Sequence, residues 1–147
     1  MFNHLEIELP RLERNTIDGV RYYETPETKM VSITSIISFY NREIFIKWRK
    51  RVGEEAANLK TKLSTSRGTD MHTLTEHYLK NDTLPKVKPL PEFLFKIAKP
   101  DLNRISNIHT LEGSLYSEQL GVAGTVDCIA EYDGELAVID FKTSAKP

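Results

Sequence analysis

Apolar positions recur along this chain with two periods, and the change from one to the other divides it. From Ile108 onward, apolar and polar residues alternate, which predicts strands over 108–119, 122–132 and 135–142, a three-strand antiparallel meander. Upstream the spacing is helical. Ile44, Phe45, Trp48 and Val52 share one face of a helix from about Glu43 to Val52, which Gly53 ends. A longer helical region is expected from Glu54 to about Leu79. Ala56, Leu59 and Leu63 form its first stripe, a break falls near Ser66-Arg67-Gly68, and Met71, Leu74, Tyr78 and Leu79 carry the second part.

The ends of the helical half are also readable. VRYYE at 20–24 and the run 30–33 predict a small hairpin around a Thr25–Lys29 turn containing Pro26. Ser32 or Thr34 is placed to cap a first helix through SIISFY. KNDTLPKVKPLP is a loop rich in Pro and Lys. Pro91 suits the first turn of a helix to about Ala98, and Pro100-Asp101 restarts a short piece to about Ile105. The expectation is one α/β domain over 1–147, mainly helical with a small hairpin over 1–107 and carrying its chemistry on the sheet of 108–147.

The last two strands hold charge that a sheet does not need. In GTVDCIAEYDGELAVIDFKTS (124–144), Asp133-Gly134 between alternating runs predicts a two-residue hairpin turn. Tyr132 then faces Glu135, Ile129 faces Val138, and Asp127 faces Asp140, with Cβ atoms roughly 4.5–5.5 Å apart. Like charges so placed repel. Lys142 falls on the same face, opposite Thr125. Val126, Cys128, Ala130, Tyr132, Ala137, Ile139 and Phe141 make the other, core-facing side. Two opposed carboxylates beside a lysine suit a divalent cation such as Mg²⁺, which takes hard oxygen ligands. The bland alternative is a strand-end ion pair of Asp140 with Lys142, and Asp127 as an incidental residue.

Composition changes this picture little. At 147 residues, 39% hydrophobic and 28% charged, the chain is ordinary for a soluble domain. No apolar run approaches the ~18 residues of a membrane span, and MFNHLEIELPRLER does not read as a secretory signal. A cytoplasmic or nucleoid-associated placement follows, with no membrane partner. The single cysteine, Cys128, excludes an internal disulfide and a four-cysteine cluster. Net charge is −1, yet residues 42–67 carry +5: Arg42, Lys47, Arg49, Lys50, Arg51, Lys60, Lys62 and Arg67 against three glutamates. Such a run is either a solvated face or a local groove for a polyanion.

These motifs together resemble a known family. GTVD, followed twelve residues after its aspartate by DFKTS, resembles motifs II and III of the PD-(D/E)XK nuclease superfamily, in its RecB-like branch. RGTDMH (67–72) resembles the upstream helix motif, and SEQLGVAGTVD the approach to motif II. The layout over roughly 30–147, including FIKWRKR, is most similar to the mitochondrial genome maintenance exonucleases and their phage relatives. The resemblance implies a restriction-endonuclease-like core with an N-terminal helical region, and metal-dependent hydrolysis of DNA, by an exonuclease acting on single strands or free ends. It further implies Mg²⁺, or Mn²⁺ in its place, held by His72, Asp127 and Asp140 with help from the Phe141 carbonyl, and Lys142 as the catalytic lysine. Glu118 would support the metal ligands or be a plain exposed strand residue. Glu76, one turn beyond His72, reads as structural.

Arg42, Lys47, Arg49, Arg51 and Arg67 would rim a channel for single-stranded DNA, with Trp48 either a stacking platform or core. The cysteine count sets aside the iron–sulfur relatives. The resemblance also implies a Q-x-x-x-Y helix after the lysine motif, and none follows here, so the expectation is either a C-terminally truncated fragment or a domain without that contribution. In a phage setting the location would be the host cytoplasm. The alternative of a different class is a non-catalytic DNA-binding or adaptor module that keeps the nuclease fold.

Overall fold

The computed structural model describes residues 1–5 and 7–144. Its elements run β1 (Glu13–Ile17), β2 (Val20–Glu24), β3 (Lys29–Ser32), α1 (Ile33–Tyr40), α2 (Arg42–Val52), α3 (Glu54–Leu79), α4 (Pro89–Leu102), β4 (Ile105–Ser117), β5 (Val122–Tyr132) and β6 (Glu135–Ile139). Among the described residues this is a mixed α/β chain with six strands in one sheet, ordered β1-β2-β3-β5-β4, and β6 paired to β5. The chain forms two compact units. One holds the described residues of Met1–Ile7, Glu55–Leu111 and Asp127–Pro147; the other holds Glu8–Glu54 and Glu112–Val126.

In the first unit, the C-terminal part of α3 and α4 cover one face of the sheet. Leu74 and Leu79 from α3, Phe95 and Leu102 from α4, Ile105 and Ile108 from β4, and Cys128 and Ala130 from β5 are buried together. Met71, Tyr78, Tyr132, Ile139 and Phe141 pack around them. Each fully buried Leu, Ile or Phe contributes about 1.5–3 kcal/mol. That magnitude explains two departures from the sequence expectation. Gly68 does not break α3, because an interior glycine costs only about 1 kcal/mol against the burial of Leu74 and Leu79. Pro100 lies inside α4 near its end, where Phe95 and Leu102 anchor both sides of the proline. No second helical piece follows, and Ile105 already belongs to β4.

The expected stripe on α3 also moves. Leu59 and Leu63 are exposed, and the buried residue of that half is Ala57. The hairpin register is as the turn chemistry predicts: Tyr132 faces Glu135, Ile129 faces Val138 and Cys128 faces Ile139. The ladder stops there and β6 ends at Ile139, three residues short of the predicted strand end, so Asp127, Asp140 and Lys142 lie just past the ladder. Asp133 and Gly134 both have positive φ, 52° and 85°, the backbone that a tight hairpin turn requires. Arg104 braces this turn. Its guanidinium is hydrogen-bonded to both Asp133 carboxylate oxygens and lies 4.4 Å over the Tyr132 ring, while its carbonyl accepts from the Asp133 amide.

The second unit is built on an expected hairpin and one unexpected strand. β2 and β3 pair antiparallel, and β1, exposed throughout, adds to β2. β3 runs parallel to the start of β5 through Val31–Val122 and Ser32–Ala123. Tyr23, Met30 and Ala123 form its small core with Leu12 and Tyr116. Ser32 caps α1 by accepting from the Thr34 amide at 3.1 Å. Gly124 permits a close approach, since a Cβ there would lie 3.0 Å from Ile33 Cγ2. The glycine of GTVD therefore answers to packing.

The hydrogen bond from Arg104 holds the Asp133 carboxyl below its ordinary value. A depressed carboxylate adds stability that is present above the ordinary aspartate pKa of about 3.9 and lost as pH falls through the lower folded value. Asp133→Asn should therefore lower the thermal midpoint at neutral pH, and the gap from the parent should close below about pH 4. A gap constant from pH 7 to pH 2 would remove the electrostatic brace. Burial, with Asp127 alongside, pushes the Cys128 thiol up to about 11. Thiol titration at pH 8 should accordingly find Cys128 inert in the native protein and reactive in denaturant.

Candidate functional site

α3 and the segment after β6 meet at His72 and Phe141 in the first unit. The buried face of α3, with Leu74, Thr75 and Leu79, fixes the helix against the sheet and so turns His72 toward the end of β6. The His72 and Phe141 rings meet edge-on with centroids 6.3 Å apart. His72 Nε2 lies 2.6 Å from the Phe141 carbonyl oxygen. A carbonyl can only accept, so Nε2 carries the proton, and in the neutral ring Nδ1 then presents its lone pair. Nδ1 lies 3.8 Å from Asp127 Oδ1, too far for a hydrogen bond. The other oxygen, Asp127 Oδ2, accepts the Phe141 amide at 2.7 Å.

The Phe141 peptide thus sets both donor groups. Its N–H holds Asp127 and its C=O holds His72. A histidine whose far nitrogen donates to a backbone carbonyl is oriented in the way metal-ligating histidines are. Imidazole nitrogen and carboxylate oxygen are donors that a divalent cation accepts. On this donor chemistry, His72 and Asp127 could hold such an ion. The Phe141 carbonyl, expected from the sequence to reach the metal, accepts from His72 with one of its two lone pairs.

Asp140 and Lys142 form a second pair. Lys142 Nζ donates to Asp140 Oδ1 at 2.6 Å, and both side chains are largely exposed, at 75% and 59%, whereas Asp127 is 12% exposed. The structure therefore separates the two aspartates by environment. Asp127 is sheltered and tied to the backbone, and Asp140 is open and tied to lysine. His72, Asp140, Phe141 and Lys142 line a cleft of about 620 Å³, walled by Met71 and Thr75 of α3 and Leu102 of α4. Thr75 and Thr143 line it as well and were not anticipated. The available signal was spacing, since Thr75 follows His72 by three residues and shares its helix face. Gly68 lies under Thr143, where a Cβ would meet Oγ1 at an ordinary 3.9 Å.

The remaining expected residues are not among those that line this cleft. Glu118 is exposed in the β4–β5 turn, where its carbonyl accepts from Gly121, and it belongs to the second unit. Glu76 is ion-paired with Lys80, in keeping with a structural part. On α2, Arg42, Lys47 and Arg51 are exposed, and Arg49 lies 3.6 Å from Glu54 and 5.8 Å from the Phe45 ring centroid. Trp48 is half-buried and stacks on Phe45 at 5.5 Å. Arg67, on α3, is half-buried, and its Nε is without a hydrogen-bond partner among the described residues.

A stretch of 46 residues is 50% identical to the mitochondrial genome maintenance exonuclease 1 of Mus musculus, and an equally long stretch is 48% identical to that of Homo sapiens. The corresponding figure for Xenopus tropicalis is 46%. The matched stretch is 31% of this chain and 13–14% of those proteins, so the chain spans a small part of the relatives it matches. No protein-family model matches the chain. No helix is long and apolar enough to cross a membrane among the described residues.

Nitrogen-15 chemical shifts of His72 should report the Nε2–H tautomer at neutral pH. The Phe141 amide should be protected from exchange, with protection kept in Asp127→Asn, whose amide oxygen still accepts, and lost in Asp127→Ala. A His72 Nδ1–H tautomer would break the inferred geometry.

Proposed function

We propose that this chain is the catalytic part of a metal-dependent deoxyribonuclease of PD-(D/E)XK type, an exonuclease acting on single strands or free ends. The observation that carries the proposal is the Phe141 peptide holding His72 and Asp127 with donor atoms turned toward each other, next to an exposed lysine. The local identity to proteins named exonucleases supports the same conclusion. His72 and Asp127 would hold Mg²⁺ or Mn²⁺, and Asp140 would join them from the mouth of the cleft. When bound, the ion would polarise the scissile phosphoryl oxygen and make a bound water more acidic.

The chain's own groups supply the rest. The Phe141 N–H takes up one Asp127 oxygen and so fixes the carboxylate plane. The Phe141 carbonyl fixes the His72 tautomer. Lys142, paired to Asp140, keeps an ammonium at the cleft mouth, where it would donate to the phosphate as negative charge grows on it. Arg42, Lys47, Arg49, Arg51 and Arg67 would neutralise phosphates of the strand. The site would then be cytoplasmic, or in the host cytoplasm for a phage protein.

A second possibility is a DNA-binding or adaptor module without catalysis. It is favoured by the Lys142–Asp140 bond, the arrangement an ordinary strand-end ion pair adopts. Three variants separate the two. Lys142→Ala should abolish Mn²⁺-dependent digestion of linear single-stranded DNA and leave Mn²⁺ affinity close to the parent's. Asp127→Asn and Asp140→Asn should lose both. If Lys142 is only a surface partner, its removal costs at most about 1 kcal/mol of stability and digestion continues at the parent rate. Equal rates on linear and circular single strands would remove the exonuclease assignment.

A further inference from the structure

Exposed aromatic residues and unpaired arginines converge in the second unit. A groove of about 380 Å³ is lined by Thr16 of β1, Arg21 of β2, Thr34, Ser38 and Phe39 of α1, and Arg42 of α2. Its wall is fixed, because the Arg21 amide donates to Ser35 Oγ at 2.9 Å and ties β2 to α1. Thr34 and Ser38 are four residues apart on α1 and present hydroxyls on one face. Phe39 is 77% exposed and the next residue, Tyr40, 86%. Arg21 and Arg42 are in no ion pair among the described residues. The nearest carboxylates in sequence, Asp18, Glu24 and Glu43, do not line the groove, and Glu24 is paired with Lys29. Beyond Arg42, α2 continues with Lys47, Arg49, Lys50 and Arg51.

Burying so large an aromatic surface would be favourable, yet this chain leaves it open beside two cations. An apolar protein surface seated here would strip water from both guanidiniums and from the hydroxyls with nothing to replace it. A phosphodiester chain meets all three groups: oxygen acceptors for arginine and hydroxyl, and a flat base for the ring. We propose that this groove binds a single-stranded nucleic acid, with neighbouring phosphates on Arg21 and Arg42 and a base stacked on Phe39. The inference rests on the nuclease reading for its choice of substrate, and it adds Arg21 and Phe39, which lie outside the basic run of 42–67.

The test uses the full chain and a fluorescein-labelled 20-nucleotide oligothymidylate in EDTA, where binding is read without cleavage. Arg21→Gln/Arg42→Gln should flatten the slope of log affinity against log salt by about 1.4, and Arg42→Gln alone, at an exposed position, by about 0.7. Phe39→Ala should weaken binding about five- to 150-fold at an unchanged slope. Lys96→Gln, a cation of the other unit, should leave the slope unaltered. Thermal melting checks that each variant folds.

Parent-like slopes in both arginine variants, or parent-like affinity in Phe39→Ala, would overturn the proposal. So would variants that bind normally but abolish a dimer of the parent, which would make this face a protein contact. Digestion with Mn²⁺ separates the two readings. A parent that binds but never cuts sinks the nuclease assignment and spares the groove. A parent that cuts, with groove variants binding normally, sinks the groove alone.

Discussion

The backbone of Phe141 joins both arms of one hairpin to a helix far upstream in sequence. Its N–H reaches Asp127, and its C=O is reached by His72, sixty-nine residues upstream. Both bonds need their partners within a few tenths of an ångström, so the packing of α3 and the register of β5 against β6 must both be correct. The register is set by the Asp133-Gly134 turn and held by Arg104. The helix position is set by Leu74 and Leu79 among the residues of β4 and β5. A slip of one residue on either side would turn one donor away. The buried core of this unit therefore acts on the chemistry through one peptide group.

Much of this was legible because the signals were local. The two-residue turn, the alternation on either side and the buried position of Cys128 follow from residues adjacent in the chain. So do the Ser32 cap and the Gly53 end of α2. What failed depended on tertiary energy. Gly68 and Pro100 look like helix breaks from propensity alone, and buried leucine and phenylalanine override both. Leu59 and Leu63 have helical spacing yet nothing covers them among the described residues, so periodicity alone named the wrong stripe. β1 has no buried residue at all, and its sequence, ERNTI, carries no alternation to find.

The candidate site was partly legible for the same reason. Spacing gathered Asp127, Asp140 and Lys142 at one end of the hairpin. It could not show that the ladder ends at Cys128–Ile139, which frees Asp127 to take the Phe141 amide and leaves Asp140 to Lys142. The place of His72 against Phe141 is a contact between α3 and the segment after β6, and no periodicity encodes it. Thr75 is polar and buried, a combination that the sequence pattern assigns to neither core nor surface.

β6 has a consequence for how this chain behaves in crowded solution. Among the described residues it pairs on one side only, with β5, and its outward side chains Leu136 and Val138 are 70% and 73% exposed. An open strand edge with apolar side chains is a template on which a second copy can add a strand. Here the strand is five residues long, and Glu135 opens it while Asp140 follows it. Charged residues at both ends of a short sticky segment are the gatekeeper arrangement of aggregation-prone strands. Asp140 would thus also protect solubility, and a substitution made there to probe chemistry would expose the chain to self-assembly.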